Sequence, residues 1–373
     1  MKILFLTPWY PDERNPNHGV FVRDQAVLIS RHHEVRVVSA KIDYSNFALS
    51  SLTRRDSVFQ GIRESRLVVH KSLPVFNQFN FFLRTCRETL SIAREFQPEI
   101  IHGNIGYPGA FWSWMVSAIL KIPFLITEHT RITNNFRSVV HKQLTLFGLR
   151  KASAVIGVSR WHADEIAAFI GKKTIVVPNV IPFEKHPGVR MLPDTVEFQI
   201  GFLGGLATPV KGLDILLKAA ATIPGKFTLH IAGDGELLNY YKDLSKELRI
   251  DHCCLFYGSI PHPEVNTFMQ RLHFFVSSSR SETFGIAMVE ALACGLPVVA
   301  TDSGGSREFI TPQNGLLVPT DPLHLAEGIK RVMDGFEKYD STSIRNSVLE
   351  KFSDDRFLEE INKVYVSLAR LQD

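Results

Sequence analysis

The segment from residue 273 to residue 308 constrains the fold of this chain most strongly. It begins with a short apolar run, Phe274 to Val276, and continues through a polar turn into a helix-period segment, Phe284 to Cys294. A second apolar run follows at Pro297 to Thr301. Short apolar runs on either side of a helical pattern are typical of a βαβ unit. The segment therefore predicts two parallel strands joined by one helix.

One charged residue lies inside the predicted helix. Every residue from Ile286 to Cys294 except Glu290 is uncharged, which is the pattern of a buried helix. A lone carboxylate removed from water is strongly destabilising unless it meets hydrogen-bond donors. We therefore expect Glu290 to have a partner. A second acid, Glu282, lies just before the predicted helix.

The two carboxylates flank a predicted helix N-terminus, where free N–H groups and the positive end of the helix dipole favour an anion. A diphosphate between two hydroxyl-rich groups fits this arrangement, because one Glu can accept both hydroxyls of a ribose and the other can hold sugar hydroxyls. The alternative is that Glu282 is an ordinary acid at a helix start and that Glu290 pairs with an internal arginine. The N–H groups concerned belong to Thr283, Phe284, Gly285 and Ile286.

Several residues of this segment closely resemble the signature of the large family of retaining GT-B glycosyltransferases known as family 4, group 1. They are Glu282, Glu290, the run from Ala291 to Val299, the pair Gly304 and Gly305, and Glu308. The resemblance implies an α/β fold with two doubly wound, Rossmann-like parallel sheets facing a central cleft. It also implies that Glu290 holds the ribose of a nucleoside diphosphate sugar and that Glu282 holds the donor sugar and acts in catalysis.

The resemblance extends to other donor-side residues. Lys211 matches the family's lysine at the diphosphate and is expected to be catalytic, and Gly233 with Asp234 matches a glycine loop near the nucleotide. Relatives usually have Gly-Arg where this chain has Gly204 and Gly205, so the arginine at the diphosphate is absent. Either another cation, Arg280 or Arg307, supplies that charge, or Lys211 carries it alone.

Two residues of the first half match the family as well. Gly19 corresponds to the glycine loop after the first strand, which meets the diphosphate or the acceptor; the alternative is a plain turn glycine. His129 ends the strand-like run from Ile122 and matches the family's catalytic histidine, whose imidazole reaches the transferred sugar. A side chain at the carboxyl end of a parallel strand faces the ligand crevice of an α/β sheet. The alternative is a hydrogen-bonded core histidine.

The alternation of strand and helix patterns indicates two domains. We expect residues 1–178 to form an acceptor-side Rossmann-like domain and residues 195–355 to form the nucleotide-sugar domain. The proline- and charge-rich stretch from residue 179 to 194 is the predicted linker. A terminal helix within residues 356–373 is expected, by resemblance, to cross back to the first domain.

Composition limits the function classes. No apolar run is long enough to span a bilayer and the N-terminus has no signal-peptide layout, so we expect a cytoplasmic protein. The four cysteines have no metal spacing, and buried reduced thiols are expected. No G-x-G-x-x-G follows the first strand, which argues against a nicotinamide dehydrogenase. Neither a metal nor a resident cofactor nor a nucleic-acid partner is expected, and the nucleoside diphosphate sugar is a co-substrate.

A basic, aromatic region lies between residues 54 and 94. It contains eight Lys and Arg residues against three acids, interleaved with an aromatic run from residue 75 to 83. Basic residues beside aromatic ones favour contact with an anionic membrane surface, which would make the protein peripheral on the inner face of the membrane. The alternative is that the phenylalanines pack in the core and the arginines form a solvated face. The basic residues are Arg54, Arg55, Arg63, Arg66, Lys71, Arg84, Arg87 and Arg94.

The function expected from the sequence is retaining transfer of a sugar from a UDP- or GDP-linked donor to a hydroxyl acceptor, a glycan or glycolipid, in cell-envelope polysaccharide or glycolipid synthesis. Two alternatives stay open. A nucleotide-sugar epimerase uses the same architecture without a separate acceptor. A catalytically inactive relative that only binds a nucleotide sugar is favoured by the arginine missing at Gly205.

Overall fold

The computed structural model describes residues 1–13, 15–47, 51–71, 74–136, 138–181, 188 and 197–370. Contacts between residues divide the chain into two units: Met1–Val180 with Phe357–Asp373, and Ile181–Arg356. Asn179 and Val180, at the start of the predicted linker, belong to the first unit. Most of the remaining predicted linker lies outside the described residues.

The sheet of the first unit has eight strands in the order β3-β4-β2-β1-β5-β6-β7-β8. All neighbours pair in parallel except β3 and β4, which form an antiparallel hairpin. The strands are β1 (Lys2–Thr7), β2 (Glu34–Phe47), β3 (Leu52–Phe59), β4 (Ile62–Lys71), β5 (Ile100–Asn104), β6 (Phe124–Glu128), β7 (Ala154–Gly157) and β8 (Ile175–Val176). The short apolar runs of β1, β5 and β6 are those of strands covered on both faces.

The β3–β4 hairpin places its basic residues on two faces. Arg55 lies directly opposite Arg66, so these two side chains share one face of the hairpin. Arg63 is on the other face and forms an ion pair with Glu95. Because successive side chains of a strand point to opposite faces, the basic residues of the hairpin divide between two surfaces.

In the described residues, five helices from the chain before residue 180 cover the sheet of the first unit. They are α1 (Val20–Ile29), α2 (Pro74–Phe96), α3 (Phe111–Leu120), α4 (Val139–Lys151) and α5 (Arg160–Ile170). The aromatic run falls in α2, where Phe81 and Phe82 are buried in the core while Phe79 and Leu83 are exposed. The core alternative is therefore confirmed for Phe81 and Phe82 and wrong for Phe79.

The second unit has six parallel strands in the order β11-β10-β9-β12-β13-β14. The strands are β9 (Phe198–Leu203), β10 (Phe227–Ala232), β11 (Cys254–Gly258), β12 (Phe274–Ser277), β13 (Val298–Thr301) and β14 (Gly315–Val318). The helices are α6 (Leu213–Ala220), α7 (Leu238–Glu247), α8 (Val265–Met269), α9 (Ile286–Ala293), α10 (Pro322–Asp334) and α11 (Ser341–Phe352). The predicted βαβ unit is β12-α9-β13, and β12 pairs directly with β13.

The last helix, α12 (Asp354–Ala369), packs on the first unit from Phe357 onward. Its apolar side is buried there, and the Tyr365 hydroxyl lies 2.7 Å from His102 Nδ1 on β5. Both units are thus parallel α/β sheets covered by helices, which is the predicted Rossmann-like architecture.

Candidate functional site

The centre of the candidate site in the second unit is an ion pair between Lys211 and Glu282. Lys211 Nζ lies 2.6 Å from Glu282 Oε1, and the Ser279 hydroxyl donates a hydrogen bond to the same oxygen at 2.7 Å. Lys211 follows β9 along the chain, whereas Ser279 and Glu282 follow β12, which pairs with β9. The pair therefore lies past the carboxyl ends of adjacent parallel strands, where α/β sheets bind ligands.

Glycine allows the segments after β9 and β10 to approach this pair closely. A Cβ atom at Gly204 would lie 3.1 Å from Cγ of Lys211, so the lysine stem crosses the bare glycine backbone. Gly233 has φ +151°, and a Cβ there would lie 2.0 Å from the carbonyl oxygen of Gly204. The structure thus brings Gly204, Gly233 and Lys211 together, as the sequence predicts. The neighbouring Asp234 carboxylate accepts a hydrogen bond from the Gly235 N–H at 2.7 Å.

Arg280 is held by Asp214. Its two terminal nitrogens donate to both carboxylate oxygens at 2.8 and 2.7 Å, and Nη1 also donates to the Pro209 carbonyl. Burial pushes the pKa of Asp214 upward, but the hydrogen bonds and charge of Arg280 outweigh it and hold that pKa below its usual value. Arg280 therefore fixes the turn that presents Lys211.

Arg307 is engaged as well. Its Nε and Nη2 donate to Asp302, and its side chain is more than half exposed. Both cations proposed as substitutes for the missing arginine thus already have a carboxylate partner. Lys211 has a carboxylate partner as well, Glu282, which is the residue expected to hold the donor sugar. Which of the three cations neutralises a diphosphate therefore stays a prediction.

Glu290 is buried, with 3% of its surface exposed, and it has a partner. His262 Nε2 lies 3.1 Å from Glu290 Oε1. The prediction that Glu290 has a partner is confirmed. The alternative that this partner is an arginine is wrong, because the partner is a histidine. His262 lies in the short 3-10 turn after β11, and no sequence motif pointed to it.

The helix after Glu282 begins later than the sequence suggested. Its first residue is Ile286, and Gly285 precedes it in the left-handed conformation with φ +101°. Phe284 is buried instead, with its ring 5.2 Å from that of Phe352 and 5.8 Å from that of Phe309. Thr283, Phe284 and Gly285 therefore form the turn that enters the helix rather than its first residues.

The Gly304–Gly305 pair holds Glu282 in place through backbone hydrogen bonds. The Glu282 N–H donates to the Ser303 carbonyl at 2.9 Å, and the Gly305 N–H donates to the Glu282 carbonyl at 2.9 Å. A Cβ at Gly305 would lie 2.5 Å from the Thr283 carbonyl oxygen. Only glycine permits this close approach of two backbones.

In the first unit, His129 is buried at the end of β6. Nδ1 lies 3.1 Å from Asn179 Oδ1, and Nε2 lies 3.1 Å from Asn104 Oδ1. Burial, with a smaller contribution from neighbouring histidines, lowers the pKa of His129 to about 3, so the ring is neutral near pH 7. Asn179 Oδ1 also accepts from Gln25 Nε2. The single ring proton therefore belongs on Nδ1. Turning the Asn104 amide by 180° then lets its buried Nδ2, which has no partner in the described residues, donate to the Nε2 lone pair.

Glu128, next to His129, organises the surrounding loops. Its buried carboxylate accepts N–H groups from Gly106, His129 and Thr130 and the Thr130 hydroxyl. Burial raises the pKa of Glu128 overall, although these donors oppose the shift. Glu128 thus joins the loop after β5 to the end of β6.

Gly19 lies near His129 through Phe21, whose ring centroid is 4.6 Å from that of the imidazole. Gly19 has φ +72°, and a Cβ there would lie 2.5 Å from the Trp9 carbonyl group. The close backbone approach at Gly19 is therefore to Trp9 of the same loop. Contact between Gly19 and a ligand stays a prediction.

Two family models match the chain. The model described as glycosyl transferases group 1 matches residues 193–346, and glycosyltransferase family 4 matches residues 19–185. The chain belongs to the group 1, family 4 glycosyltransferases. The two matches cover most of both units, and the group 1 match contains Lys211, Glu282 and Glu290.

Individual relatives of this glycosyltransferase are distant. It is 27% identical over 277 residues to the uncharacterized glycosyltransferase MJ1178 of Methanocaldococcus jannaschii, covering 73% of this chain and 76% of the relative. It is 25% identical over 292 residues to the alpha-monoglucosyldiacylglycerol synthase of Streptococcus pneumoniae, covering 71% and 66%. The structure of Anabaena HepE with UDP-glucose superimposes with a TM-score of 0.78 at 21% identity, covering 98% of this chain and 100% of HepE. This likeness identifies the fold as GT-B.

Other expected features can be checked in the described residues. Among them, no three His, Cys, Asp or Glu side chains are grouped as metal ligands are. No helix in the described ranges is long and apolar enough to cross a membrane. All four cysteines are free thiols, and Cys253 is only half-buried, unlike the other three. The expectation of buried thiols is therefore wrong for Cys253.

Proposed function

We propose that this glycosyltransferase transfers a sugar, with retention of anomeric configuration, from a UDP- or GDP-linked donor to a hydroxyl of a glycan or glycolipid. The observation that carries the proposal is the Lys211–Glu282 ion pair with its 2.6 Å separation at the carboxyl ends of the strands. A cation bound to a carboxylate there matches the two ends of a sugar diphosphate. Lys211 neutralises the phosphate oxygens, and Glu282 accepts sugar hydroxyls.

The nucleoside half of the donor is assigned to Glu290. Its carboxylate accepts the ribose hydroxyls, while His262 supports it from the other side. The buried position of Glu290 favours this role, because a carboxylate with little water around it gains more from each hydroxyl it accepts.

In the proposed reaction the acceptor oxygen bonds to the anomeric carbon while the bond from that carbon to the β-phosphate oxygen breaks. The nucleoside diphosphate leaves with the electron pair, and one of its phosphate oxygens takes the acceptor proton. Lys211 stabilises the charge that develops on the leaving group. We assign this stabilisation to the protein without a divalent ion, so transfer is expected to persist in EDTA.

The proposal is tested by incubating the protein with UDP- and GDP-sugars and a panel of lipid and glycan acceptors. Glycoside formation with an α linkage from an α-linked donor supports it, and a β linkage overturns retention. Conversion of the donor sugar to its epimer without acceptor favours the epimerase alternative. Donor binding with neither product favours the inactive relative.

A membrane-linked acceptor is the proposed context, and the similarity to the glucosyldiacylglycerol synthase supports it. The first unit carries exposed apolar side chains at the start of two helices: Phe79 and Leu83 on α2 and Val139 and Val140 on α4. The two helix starts meet at Tyr107, which donates to Gln78 of α2 and packs its ring 4.2 Å from that of His141 on α4. An exposed apolar patch of this kind inserts readily into a membrane interface.

Sedimentation with vesicles tests this context. The double variant Phe79→Ser with Leu83→Ser should bind anionic vesicles at low salt more weakly than wild type. Val58 on the hairpin is an equally exposed apolar residue, and the control variant Val58→Ser should bind vesicles as wild type does. Reduced vesicle binding by the double variant Arg84→Glu with Arg87→Glu would show that electrostatic attraction to the anionic surface contributes as well. Absence of vesicle binding at low salt would favour an acceptor in solution, and equal binding by all variants would reject Phe79 and Leu83 as the contact. Binding would support our proposal that the protein is peripheral on the membrane.

A further inference from the structure

A cavity of about 660 Å³ lies wholly within the first unit. Its floor is the part of β2, β4 and β3 that continues beyond the end of β1, where Thr7 pairs with Ser39. The loop after β1 forms the opposite wall. The cavity is large enough for a small ligand and adjoins the carboxyl edge of the parallel sheet, where α/β folds bind ligands.

Two arginines lie side by side on the cavity floor. Arg55 and Arg66 are directly opposite each other on β3 and β4, and both line the cavity. Like charges at directly opposite positions of a sheet repel, so this arrangement is unfavourable unless anions separate them. Arg55 is exposed, so water screens part of this repulsion, and the negative charge of a bound anion would relieve the rest.

The protein supplies that charge for only one of the arginines. Arg66 Nη2 lies 2.9 Å from the buried carboxylate of Glu64, which also has Arg23 Nε at 3.7 Å. Glu64 is thus shared between two cations. Lys41, a third cation of the lining, forms an ion pair with Asp12. Arg55 has no hydrogen bond or ion pair with any residue that the structure describes.

The remaining lining favours a hydroxylated molecule over a bare anion. Glu13 adds a carboxylate, as does Asp43, whose Oδ2 lies 3.6 Å from Nδ1 of His70 in the same lining. Carboxylates repel an isolated phosphate but accept hydroxyl groups, and Thr53 contributes a hydroxyl. Tyr10 and Tyr44 add aromatic surface. A ligand with several hydroxyls and one acidic group satisfies both the carboxylates and Arg55.

We propose that this cavity binds a saccharide carrying one carboxylate or phosphate, and that Arg55 binds the acidic group. Resting on the proposed function, this saccharide is the acceptor or part of it. The chain is thereby specific for an acidic acceptor, with specificity set by the β3–β4 hairpin rather than by the donor residues of the second unit.

The test compares direct binding of four probes, glucose, glucuronate, glucose 6-phosphate and inorganic phosphate, by NMR titration. Wild type should bind one of the two acidic sugars at least about tenfold more tightly than glucose, the factor expected for one charge-assisted hydrogen bond. Whether glucuronate or glucose 6-phosphate binds better identifies the acidic group. Inorganic phosphate should bind more weakly than the preferred sugar.

Arg55→Gln should remove most of the preference for the acidic sugar. Arg54→Gln is the matched control, because Arg54 immediately precedes Arg55 and its side chain lies on the opposite face of β3. Arg54 also pairs with Asp56 at 3.0 Å. Arg54→Gln should keep the preference. Equal binding of glucose and the acidic sugars by wild type, equal loss in both variants, or phosphate binding as tight as that of the sugar would overturn the proposal.

Donor binding in the same variants separates this result from the proposed function. Arg55→Gln should bind UDP- or GDP-sugar as wild type does. If wild type binds no nucleotide sugar but Arg55-dependent binding of an acidic sugar is found, the proposed function fails and the cavity assignment stands. If wild type binds nucleotide sugar but shows no Arg55-dependent binding of an acidic sugar, only the cavity assignment is rejected.

Discussion

Lys211 and Glu282 are bound to each other, with the ammonium nitrogen 2.6 Å from a carboxylate oxygen, although they lie 71 residues apart in the chain. Each neutralises and orients the other, and in the proposed function a ligand with both a phosphate and hydroxyl groups replaces that contact. The ion pair is partly buried, so removal of either member leaves the other charge without its partner.

Lys211→Ala should raise the dissociation constants of both UDP (or GDP) and the nucleotide sugar, because it removes the cation assigned to the diphosphate. Glu282→Ala should leave the affinity for the free nucleoside diphosphate nearly unchanged and mainly lower turnover, because its assigned contact is to the sugar. Isothermal titration calorimetry with each ligand separates the two effects. Arg307→Ala is the control, since Arg307 pairs with Asp302 at the surface. Normal diphosphate affinity in Lys211→Ala would reject the assignment.

Glu290→Ala should weaken nucleotide binding by about 2–4 kcal/mol if both ribose hydrogen bonds are lost. His262→Ala should have a smaller effect of the same sign, because it removes the support of Glu290 and not the ligand contact itself. Titration with UDP and with a 2′,3′-dideoxy analogue measures both. The analogue should bind wild type and Glu290→Ala almost equally. Equal binding of UDP to wild type and Glu290→Ala would contradict the ribose assignment.

The second half of the fold was more predictable than the first, for physical reasons. The strands β12 and β13 are buried apolar runs, so their sequences predict them directly. The β3–β4 hairpin was missed because its charged and polar residues hide the alternation that marks a strand. Its turn at Gln60 and Gly61, both at positive φ, was the available signal.

The site shows the same division. Lys211 and Glu282 could be named from the resemblance to the family. The fold brings them together because the carboxyl ends of adjacent parallel strands lie at the same edge of the sheet. The partners of the named residues, His262 and Asn104, could not be named, since long-range pairing of side chains leaves no local pattern. Asn104 had one usable signal, its position at the carboxyl end of β5.

His129→Ala should lower transfer by one to several orders of magnitude, about the range for loss of a positioned polar group, with the fold intact. Asn179→Ala is the informative companion, because it removes the acceptor that keeps the ring proton on Nδ1. It should lower turnover while leaving donor affinity unchanged. Initial rates at saturating donor, with circular dichroism as the folding control, give the answer. Full activity in folded His129→Ala would remove His129 from the site.

Gly205→Arg should tighten donor binding. A Cβ at Gly205 meets nothing within 4 Å, and the residue is exposed, so a long side chain fits there without displacing Lys211. A second cation at the diphosphate should lower the dissociation constant about tenfold, and the gain should shrink as salt is raised. Gly205→Gln tests for an effect of side-chain length alone and should gain little. An unchanged or weaker affinity in Gly205→Arg would show that position 205 does not face the diphosphate.

Stability should fall as the pH drops below about 6.5, and His102 should account for part of the fall. Burial lowers the pKa of His102 to about 3, whereas its ordinary value is 6.5. The native state therefore keeps His102 neutral, while the unfolded chain binds a proton below pH 6.5. The stabilisation is complete above that pH and is lost as the pH falls toward 3, by up to about 1.4 kcal/mol per pH unit.

The measurement is urea unfolding at several pH values between 7.5 and 5 for wild type and His102→Gln. Glutamine has no proton to gain there and can still bond to Thr127 or Tyr365, the two partners of the His102 ring. As the pH falls, the free energy of unfolding of His102→Gln should decline less steeply than that of wild type. The difference in slope should be at most about 1.4 kcal/mol per pH unit, the value for one bound proton. Other buried groups, among them Glu128 with its raised pKa, act in both proteins and cancel in the difference. Parallel pH profiles for the two proteins would show that His102 is not held neutral in the native state.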